Sequence, residues 1–588
     1  MPEEDRKPAG GGSFPHRLRR SLQLTPGRFR GIDRWAGIAS WLLIIVIILG
    51  QGYQLRPLLR YPVSQAVAIL LVVLVIARLL LDALATPRPR PFFKAHWLEL
   101  VLLGLMAVTP ITFWAIGFLL ALRVLIRAGS RLLTSPSGRG FLLSVAHSPA
   151  RTIATSFLGA IGGGTLLLTF PGASASGEPA PLITALFTST SAVCVTGLIV
   201  VDTPTYWSTF GQWVILLLIQ VGGLGIMSLS ASAALVFGRS FGASSRGLFE
   251  EAYEETAKRD ITGLLQFIVA FTFVTEIVGA IVLGLHWSRH MPLLNALYHG
   301  LFHSVSAFCN AGFSTFSDNL AGWVSDPVVA FAVTLLIIIG GIGFTVAMSL
   351  LGLARHPLHP VLWWRRERTH TKLVLTATAV LIVTGTLAYF FFEYESSLAG
   401  LPLGSKLLAS YFQSVTTRTA GFNTVDLAAA APITATIVIV LMFIGGSPGG
   451  TAGGVKTTTM GILILSLRSL LRGRRDVEVF GRRIPDETLL RAVSVTLLGG
   501  TLLGLGAMGL FLVEANKNYL DLLFESVSAF GTVGLSRGVT PTLTPMGQLI
   551  IISLMFVGRT GPLTLAFAVG KSGARTFYRY PDGKILVG

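Results

Sequence analysis

Charged residues and cysteines are both scarce in this sequence of 588 residues. Asp, Glu, Lys and Arg make up 13% of it, about half the share found in an ordinary soluble protein. The two cysteines, Cys194 and Cys309, are too few for a disulfide framework. The sequence also lacks a phosphate-cradling glycine loop, a metal-ligand spacing of histidines and a convergent set of catalytic acids and bases. These absences argue against an enzyme, a nucleotide hydrolase and a metal centre.

Apolar residues dominate instead, at 52% of the chain with a mean hydropathy of +0.69. About a dozen apolar runs approach the ~20 residues with which a helix crosses a bilayer. The formal net charge of +18 comes from short basic blocks between these runs. That placement follows the positive-inside rule and is unlike the surface of a nucleic-acid binder. We therefore expect an all-α polytopic protein of the cytoplasmic (inner) membrane, surrounded by lipids, with its N-terminus inside.

The N-terminal quarter has its own pattern. Residues 1–34 are polar and basic, which predicts a cytoplasmic tail, and residues 35–133 contain apolar spans. The run at 97–133 is broken at Thr109-Pro110. If it forms two helices, the region has four spans, and this even number keeps the tail inside. One kinked helix is the alternative. Arg123, Arg127 and Arg131 recur like the stripe of a voltage sensor, although snorkelling near a helix end also explains them.

From residue 150 onward the chain repeats itself four times. Each repeat has an apolar span, a short helix-length segment, a glycine-containing loop and a second apolar span. The predicted repeats span 150–238, 260–354, 370–470 and 486–575, followed by a cytoplasmic C-terminus at 576–588. The loop glycines, which are 115, 109 and 113 residues apart, are Gly197, Gly312, Gly421 and Gly534. Such internal repetition predicts a quasi-symmetric assembly.

Two further markers occur in register with the loop glycines. Each short segment has an aromatic residue two positions before a serine, and His303 and Glu525 directly precede that serine as expected local hydrogen-bond partners. Each second span has a Gly-Gly pair, replaced by Gly558-Arg559 in the fourth repeat. Basic links between the repeats belong in the cytoplasm, which puts the glycine loops toward the outside.

Four non-helical loops inside a membrane are tolerated where they border water or protein. If they face one axis, rings of carbonyl oxygens can replace the hydration shell of a cation. Glycine suits such a loop because it adopts positive φ. Thr532-Val533-Gly534 matches the start of the Thr-Val-Gly-Tyr-Gly filter of K⁺ channels. The alternative is that the glycines only allow close helix packing.

With these motifs, residues 149–588 resemble the Trk/Ktr/HKT superfamily of K⁺ transporters, in particular the bacterial Ktr/Trk membrane (pore) subunits. The resemblance implies four helix–pore helix–filter loop–helix repeats around a pseudo-four-fold pore, preceded by the N-terminal helical bundle. Glycine in all four loops goes with K⁺ preference in that family. The implied filter positions are Val195, Thr196, Gly197, Asn310, Ala311, Gly312, Thr419, Ala420, Gly421, Thr532, Val533 and Gly534.

A glycine-rich segment at 445–459 interrupts the second span of the third repeat. So many glycines with a proline cannot maintain a helix, so the segment is expected to be an intramembrane loop. The resemblance implies that this loop is the gate and that Arg559, at the matching position of repeat 4, contacts it; a purely structural Arg559 is the alternative. The gate positions are Gly445, Gly446, Gly449, Gly450, Gly453, Gly454, Lys456 and Arg559.

The resemblance also implies partners. K⁺ would be the transported ion, with Na⁺ open as a modulator, and no nucleotide would bind to this chain itself. A separate cytoplasmic RCK ring would bind nucleotides and control the gate, and the membrane subunit would form a homodimer. The basic link 468–483 could dock that ring or only mark topology. A Na⁺-permeable or unselective cation permease of the same architecture is the alternative function.

Overall fold

The structure, a computed structural model, describes residues 149–239, 250–355, 360–474 and 476–561. These residues form sixteen α-helices, short 3₁₀ turns and one two-stranded hairpin. Four times in succession, a long helix is followed by a pore helix, an extended loop and a second helix. The expected tail and helices at 1–133 and the C-terminus at 576–588 lie outside the described residues.

The first two repeats share this plan, with one difference in the second helix. In repeat 2 that helix is broken into two pieces, Pro327–Gly341 and Phe344–Arg355. The elements of repeat 1 are α1 (Pro149–Leu168), α2 (Leu182–Val193), the single turn α3 (Thr203–Tyr206) and α4 (Thr209–Arg239). Those of repeat 2 are α5 (Glu250–Trp287), α6 (Leu293–Cys309), α7 (Pro327–Gly341) and α8 (Phe344–Arg355).

Repeats 3 and 4 follow after a short helix, α9 (Pro360–Arg366). The elements of repeat 3 are α10 (Thr369–Glu393), α11 (Leu403–Thr416), α12 (Pro432–Phe443) and α13 (Thr457–Leu471). An antiparallel hairpin, β1 (Glu478–Val479) with β2 (Arg482–Arg483), then leads into repeat 4. The elements of repeat 4 are α14 (Asp486–Val513), α15 (Tyr519–Gly531) and α16 (Pro545–Thr560).

The first helix of each repeat is long and apolar enough to cross a membrane. By length and composition, four segments qualify among the described residues: Arg151–Leu168, Gly263–Trp287, Thr369–Glu393 and Asp486–Val513. The second helices are shorter apolar helices or are interrupted, and the α7–α8 pair bends by 113° at its break. The chain is therefore an integral membrane protein, and the second helices of repeats 2 and 3 are interrupted.

Two expected boundaries differ from the structure. The first helix of repeat 2 begins at Glu250, earlier than residue 260, because the preceding Glu-, Ala- and Lys-rich residues are good helix formers. The glycine-rich segment forms a loop only to Lys456, because helix α13 begins at Thr457, past the last glycine of the loop. Residues 457–459 are therefore helical.

Glycines on the first helix let the second helix pack closely in every repeat. A Cβ added to any of these glycines would lie within 3.1 Å of a leucine methyl group of the second helix. The pairs are Gly164–Leu218, Gly279–Leu336, Gly385–Leu441 and Gly506–Leu554. A side chain at any of these positions would displace the leucine, so glycine gives the closest approach of the two helices.

The pore helices are anchored to the first helices by the serines that follow the buried aromatic residues. Ser304 Oγ donates to the Glu276 carbonyl at 2.7 Å, and Ser189 and Ser414 bond in the same way to Ile161 and Ile382. In repeat 4, Ser526 instead bonds within its own helix, to Leu522. Three repeats thus tie the pore helix to the first helix by one buried hydrogen bond. The aromatic residues are Phe187, Phe302, Phe412 and Phe524, each at most 1% exposed.

Candidate functional site: four loops around one axis

The backbone of the four loops has the same unusual conformation. Two residues before each loop glycine, a residue other than glycine adopts positive φ, and the glycine itself has positive φ. Three of these four residues are β-branched, for which positive φ is a steric outlier. Such strain persists where the surrounding structure imposes it, commonly at functional sites. The φ angles are 55° for Val195, 61° for Asn310, 69° for Thr419 and 51° for Thr532, and 91°, 74°, 76° and 92° for the glycines.

The four loop glycines form a closed ring. A Cβ on Gly312 would lie 2.7 Å from the Ala420 carbonyl oxygen, and one on Gly421 would lie 2.6 Å from that of Val533. Gly534 meets the Thr196 carbonyl and Gly197 meets the Ala311 carbonyl in the same manner. Each repeat therefore contacts the next, and the fourth contacts the first. The structure thus brings the sequence-predicted filter residues of all four repeats together around one axis.

Hydrogen bonds turn the loop amides away from the axis. In each loop, the amide preceding the glycine donates to a carbonyl near the end of its own pore helix, at 2.7–3.0 Å. None of the twelve carbonyl oxygens at the predicted filter positions accepts a hydrogen bond from the described residues. Unpaired carbonyls in a protein interior need another partner, and a dehydrated cation is one that such rings accommodate. The hydrogen bonds of the amides that precede the glycines, with the donor named first, are Thr196–Ser191, Ala311–Ser306, Ala420–Thr416 and Val533–Ser528.

A cavity of about 290 Å³ opens on the glycine side of this ring. All four loop glycines line it, together with three carboxylates from three different repeats, Asp202, Asp318 and Asp426. Carboxylates at the mouth of a narrow site raise the local concentration of cations. We call this cavity the vestibule.

On the opposite side of the ring, the second marker glycines contact the ends of the pore helices. Gly222, Gly340 and Gly558 lie against the carbonyls of Val193, Phe308 and Phe530, so closely that a Cβ could not be inserted. In repeat 3 the equivalent glycine, Gly445, lies against the Gly453 carbonyl. The glycine-rich loop of repeat 3 thus takes the place of a helix–helix contact found in the other repeats.

Hydrogen bonds connect this intramembrane loop to its neighbours. Ser447 N donates to Gly341 O at 2.9 Å and Thr451 N to Gly340 O at 3.1 Å, both at the end of α7. The Thr451 hydroxyl donates to Phe308 O at 3.1 Å, at the end of pore helix α6. A Cβ on Gly453 would meet Thr532 of the fourth filter loop. The loop therefore lies directly against the filter.

Two basic side chains hold the loop in place. Arg559, only 4% exposed, donates from Nη1 to the Thr451 carbonyl and from Nη2 to the Gly222 carbonyl at 3.0 Å. Lys456 Nζ donates to the Ala452 carbonyl at 2.6 Å. Arg559 thus joins repeat 4 to repeats 1 and 3 beneath the filter, and its contact with the loop is the one that the family resemblance implied.

Sequence reasoning missed the break between α7 and α8. Gly343 has φ +88°, Phe344 N donates to Gly449 O at 3.2 Å, and the Phe344 ring lies against Gly449. A cavity of about 760 Å³ lies beside this contact, lined by the start of α8, the first turn of α10 and the loop. The local sequence signal for this break is the third glycine in Gly340-Gly341-Ile342-Gly343.

A ring of free carbonyls in an integral membrane protein, with an acidic vestibule on one side and an ordered loop on the other, is the site of a cation transporter. Comparison with known proteins agrees, because residues 124–574 match the family model described as TrkH, cation transport protein. The chain belongs to this family of Trk/Ktr-type membrane subunits, which is a family of transporters and not of enzymes.

Two curated relatives and one solved structure illustrate the likeness. The Ktr system potassium uptake protein B of Bacillus subtilis is 39% identical over 449 residues, covering 76% of this chain and 98% of that protein. The potassium/sodium uptake protein NtpJ of Enterococcus hirae is 36% identical over 447 residues, covering 75% and 97%. The crystal structure of the potassium transporter TrkH from Vibrio parahaemolyticus covers 91% of this chain and 98% of its own at TM-score 0.57. At 18% identity, that last likeness shows the fold alone.

Proposed function

We propose that the chain carries K⁺ into the cell across the cytoplasmic membrane, through the ring of loop carbonyls. The observation that supports this best is the set of twelve filter carbonyls that accept no hydrogen bond from the described residues. The relatives from B. subtilis and E. hirae are named for potassium and for potassium/sodium uptake. In this proposal the vestibule faces outside and the N-terminus lies inside.

Four glycines in the filter favour K⁺ over Na⁺. A side chain at any loop glycine would collide with the carbonyl of the next repeat and would displace it. Selectivity by carbonyl rings depends on the number and placement of those oxygens. A Na⁺-permeable or unselective permease is the second candidate, favoured by the potassium/sodium name of the E. hirae relative.

The intramembrane loop is the proposed gate. It lies against the filter, and Arg559 and Lys456 place two positive charges on that side of it. A cation leaving the filter therefore meets both the loop and these charges. Opening requires that the Arg559–Thr451 contact breaks or moves.

Regulation by a separate subunit completes the proposal. The chain would form a homodimer and bind a cytoplasmic RCK ring, which carries the nucleotide, with Na⁺ as a further modulator. Arg472 and Arg474, both exposed beside the β1–β2 hairpin, belong to the basic link that would dock the ring. A pull-down in which Arg472, Arg474 and Arg475 changed together to Glu still retains the ring normally would contradict the docking.

Rescue of a K⁺-uptake-deficient bacterial strain at low K⁺ tests the function. Wild type, with its regulatory partner supplied, should restore growth, and Gly312→Ser should lose the preference for K⁺ over Na⁺. Gly159→Ser is the matched control, because a Cβ at Gly159 meets no atom within 4 Å. If wild type moves no K⁺ in cells or liposomes, the proposal is wrong and Na⁺ is the next ion to test.

A further inference from the structure

One face of the fourth pore helix, α15, is hydrogen-bonded to the filter glycine and to the extended segment after it, which we call the strand of that repeat. Three side chains spaced as i, i+4 and i+7 on the helix form these hydrogen bonds. We call each bond a rung and the set of three a ladder. Arg537 Nε donates to Asp521 at 2.7 Å, Ser536 Oγ donates to Glu525 at 2.9 Å, and Gly534 N donates to Ser528 Oγ at 3.1 Å. Thr540 adds a second hydroxyl to the Glu525 carboxylate. The pore helix therefore fixes both the filter glycine and the residues after it by hydrogen bonds.

Repeat 2 has the same ladder in the same register. Counted from the filter glycine, the helix positions are −13, −9 and −6, and the first two rungs reach strand positions +3 and +2 in both repeats. Chemically different side chains occupy the first two helix positions in the two repeats, and serine occupies the third in both. The rungs in repeat 2 are His299 Nδ1 with Thr315 Oγ1 at 2.7 Å, His303 Nε2 with Ser314 Oγ at 2.9 Å, and Ser306 Oγ with Phe313 O at 2.8 Å.

The hydrogen-bond roles at His303 follow from its second contact. Its Nδ1 lies 2.8 Å from the His299 carbonyl, which can only accept, so Nδ1 carries the proton. In the neutral ring, Nε2 then accepts from the Ser314 hydroxyl at 2.9 Å, which is closer than the other acceptor of that hydroxyl, the Asn319 carbonyl at 3.3 Å. In repeat 4 the carboxylate of Glu525 likewise accepts from Ser536. Both middle rungs therefore use a strand serine as the donor.

Repeats 1 and 3 have only the rung nearest the filter glycine and lack the two outer ones. Gly197 N donates to Ser191 Oγ at 3.0 Å, and Thr416 Oγ1 donates to Phe422 O at 2.6 Å. In repeat 1 the strand positions +2 and +3 are Ile199 and Val200, whose side chains cannot form hydrogen bonds. Repeat 3 has one residue fewer between the pore-helix serine and the glycine, so Gln413 occupies the place of Glu525. Neither amide atom of Gln413 has a hydrogen-bond partner among the described residues, and the hydroxyl of Thr424 at position +3 has none either.

The two laddered repeats lie opposite each other across the axis. The glycine contacts run from repeat 1 to 2, 2 to 3, 3 to 4 and 4 to 1, so repeats 2 and 4 are not neighbours in the ring. The ring of four similar loops therefore contains a two-fold pattern. Three side chains tie each filter wall of one opposing pair to its pore helix, and one side chain ties each wall of the other pair.

We infer that the ladders of repeats 2 and 4 hold two opposite filter walls at the spacing that suits dehydrated K⁺, which makes Glu525 and His303 positioning residues for ion selectivity. Neither residue contacts the ion, because each acts through the strand that carries the filter. Carbonyl rings discriminate between ions only if the oxygens are kept from closing around the smaller one. This inference rests on the proposed function, since it concerns the same filter.

Selective removal of the middle rungs tests the inference. The full-length chain in proteoliposomes takes up radioactive Rb⁺ as the K⁺ probe, and the inhibition constant for Na⁺ is measured beside the KM and Vmax for Rb⁺. Glu525→Leu and His303→Leu should each raise Na⁺ competition by about fivefold, the factor that one net hydrogen bond is worth. Glu525→Gln, whose amide can bond to both hydroxyls, should stay close to wild type.

Thr188→Val is the matched control, since Thr188 occupies the same position in repeat 1 and faces a segment whose positions +2 and +3, Ile199 and Val200, have no side-chain hydrogen-bonding group. If Glu525→Leu and His303→Leu are as selective as wild type, or if Thr188→Val loses selectivity equally, the inference is wrong. Should a leucine variant fail to fold, Ser536→Ala and Ser314→Ala remove the same rungs from the strand, and unchanged Na⁺ competition in both would overturn it.

The same measurements distinguish failure of the proposed function from failure of this inference. Wild type that takes up Na⁺ but no Rb⁺ contradicts K⁺ uptake, and the ratio of variant to wild-type ion preference still measures the effect of the ladder. A shift in that ratio supports the positioning role whichever ion is preferred. A fall in Vmax with unchanged ion preference would instead indicate a structural role and would contradict the inference.

Discussion

Arg559 and Thr451 are 108 residues apart in the chain and are joined by a buried hydrogen bond from the guanidinium to the backbone carbonyl. The same guanidinium binds Gly222 of repeat 1 at 3.0 Å. One side chain of repeat 4 therefore fixes the intramembrane loop of repeat 3 against the second helix of repeat 1. Because the carbonyl partner is uncharged, breaking this contact leaves no second buried charge without a partner.

Replacing Arg559 should release the loop. Arg559→Gln removes the charge and cannot reach both carbonyls, so Rb⁺ flux through the purified chain in proteoliposomes should rise severalfold, since a charge-assisted hydrogen bond is worth about 1.5–3 kcal/mol. Arg468→Gln, at an exposed arginine on α13, is the control and should leave the flux unchanged. Flux at or below wild type in a folded Arg559→Gln protein would contradict a restraining role.

The break between α7 and α8 should depend on Gly343. Its φ of +88° is open to glycine and unfavourable for any other residue, so Gly343→Ala should lower stability by about 1–2 kcal/mol. Thermal unfolding in detergent measures this. Gly352→Ala, at an ordinary helical position of α8 with nothing within 4 Å of a new Cβ, should leave the melting temperature unchanged or raise it. Equal melting temperatures for both variants would show that the bend is not imposed by Gly343.

Gly279 should be essential for seating the second pore helix. A Cβ there would lie 2.8 Å from a Leu336 methyl group and would also collide with the Ser304 hydroxyl that bonds to Glu276. Gly279→Ala should therefore destabilise the protein by about 1–3 kcal/mol, as overpacking does. Gly162→Ala, with no atom within 4 Å, is the control. The measurement is again thermal unfolding, and a neutral Gly279→Ala would mean that α5 and α6 can separate at little cost.

The plan of four repeats was predictable because short stretches of the sequence, taken one at a time, indicate it. Gly197, Gly312, Gly421 and Gly534 repeat at a nearly constant interval, and the glycines at 445–454 cannot form a helix. Arg559 was noticeable because a charge inside an apolar span is expensive. Comparison of the four repeats with one another therefore gave the loops, the interrupted helix and the basic residue beneath it.

The ladder behind the filter was not predictable in the same way. His303 and Glu525 were visible before the serine, but their partners Ser314 and Ser536 lie 11 residues further along, across the filter loop. Only the folded loop shows which hydroxyl each one reaches. The break at Gly343 has a local signal in its third glycine, but the 113° bend also depends on the Phe344 contact with Gly449, more than 100 residues away in the chain.

Asp326, the N-cap of α7, should make stability depend on pH. Its carboxylate accepts from Val328 N and Val329 N and lies 2.6 Å from the His286 ring. Burial raises the pKa of Asp326, but the bonds from Val329, His286 and Val328 lower it by more, so its pKa in the folded protein lies below its usual value. The carboxylate therefore stabilises the folded state above the unfolded pKa of about 3.9, and this is lost as the pH falls through the folded pKa.

Asp326→Asn should accordingly be less stable than wild type at pH 7, by about 1 kcal/mol for a charge-assisted cap replaced by a neutral one. The difference in melting temperature should shrink as the pH is lowered below about 4, because the wild-type carboxylate is then protonated. Glu487→Gln, at an exposed acid in the first turn of α14, should show no such narrowing. A difference that stays constant from pH 7 to pH 3 would mean that the ionised carboxylate is not what stabilises the start of α7.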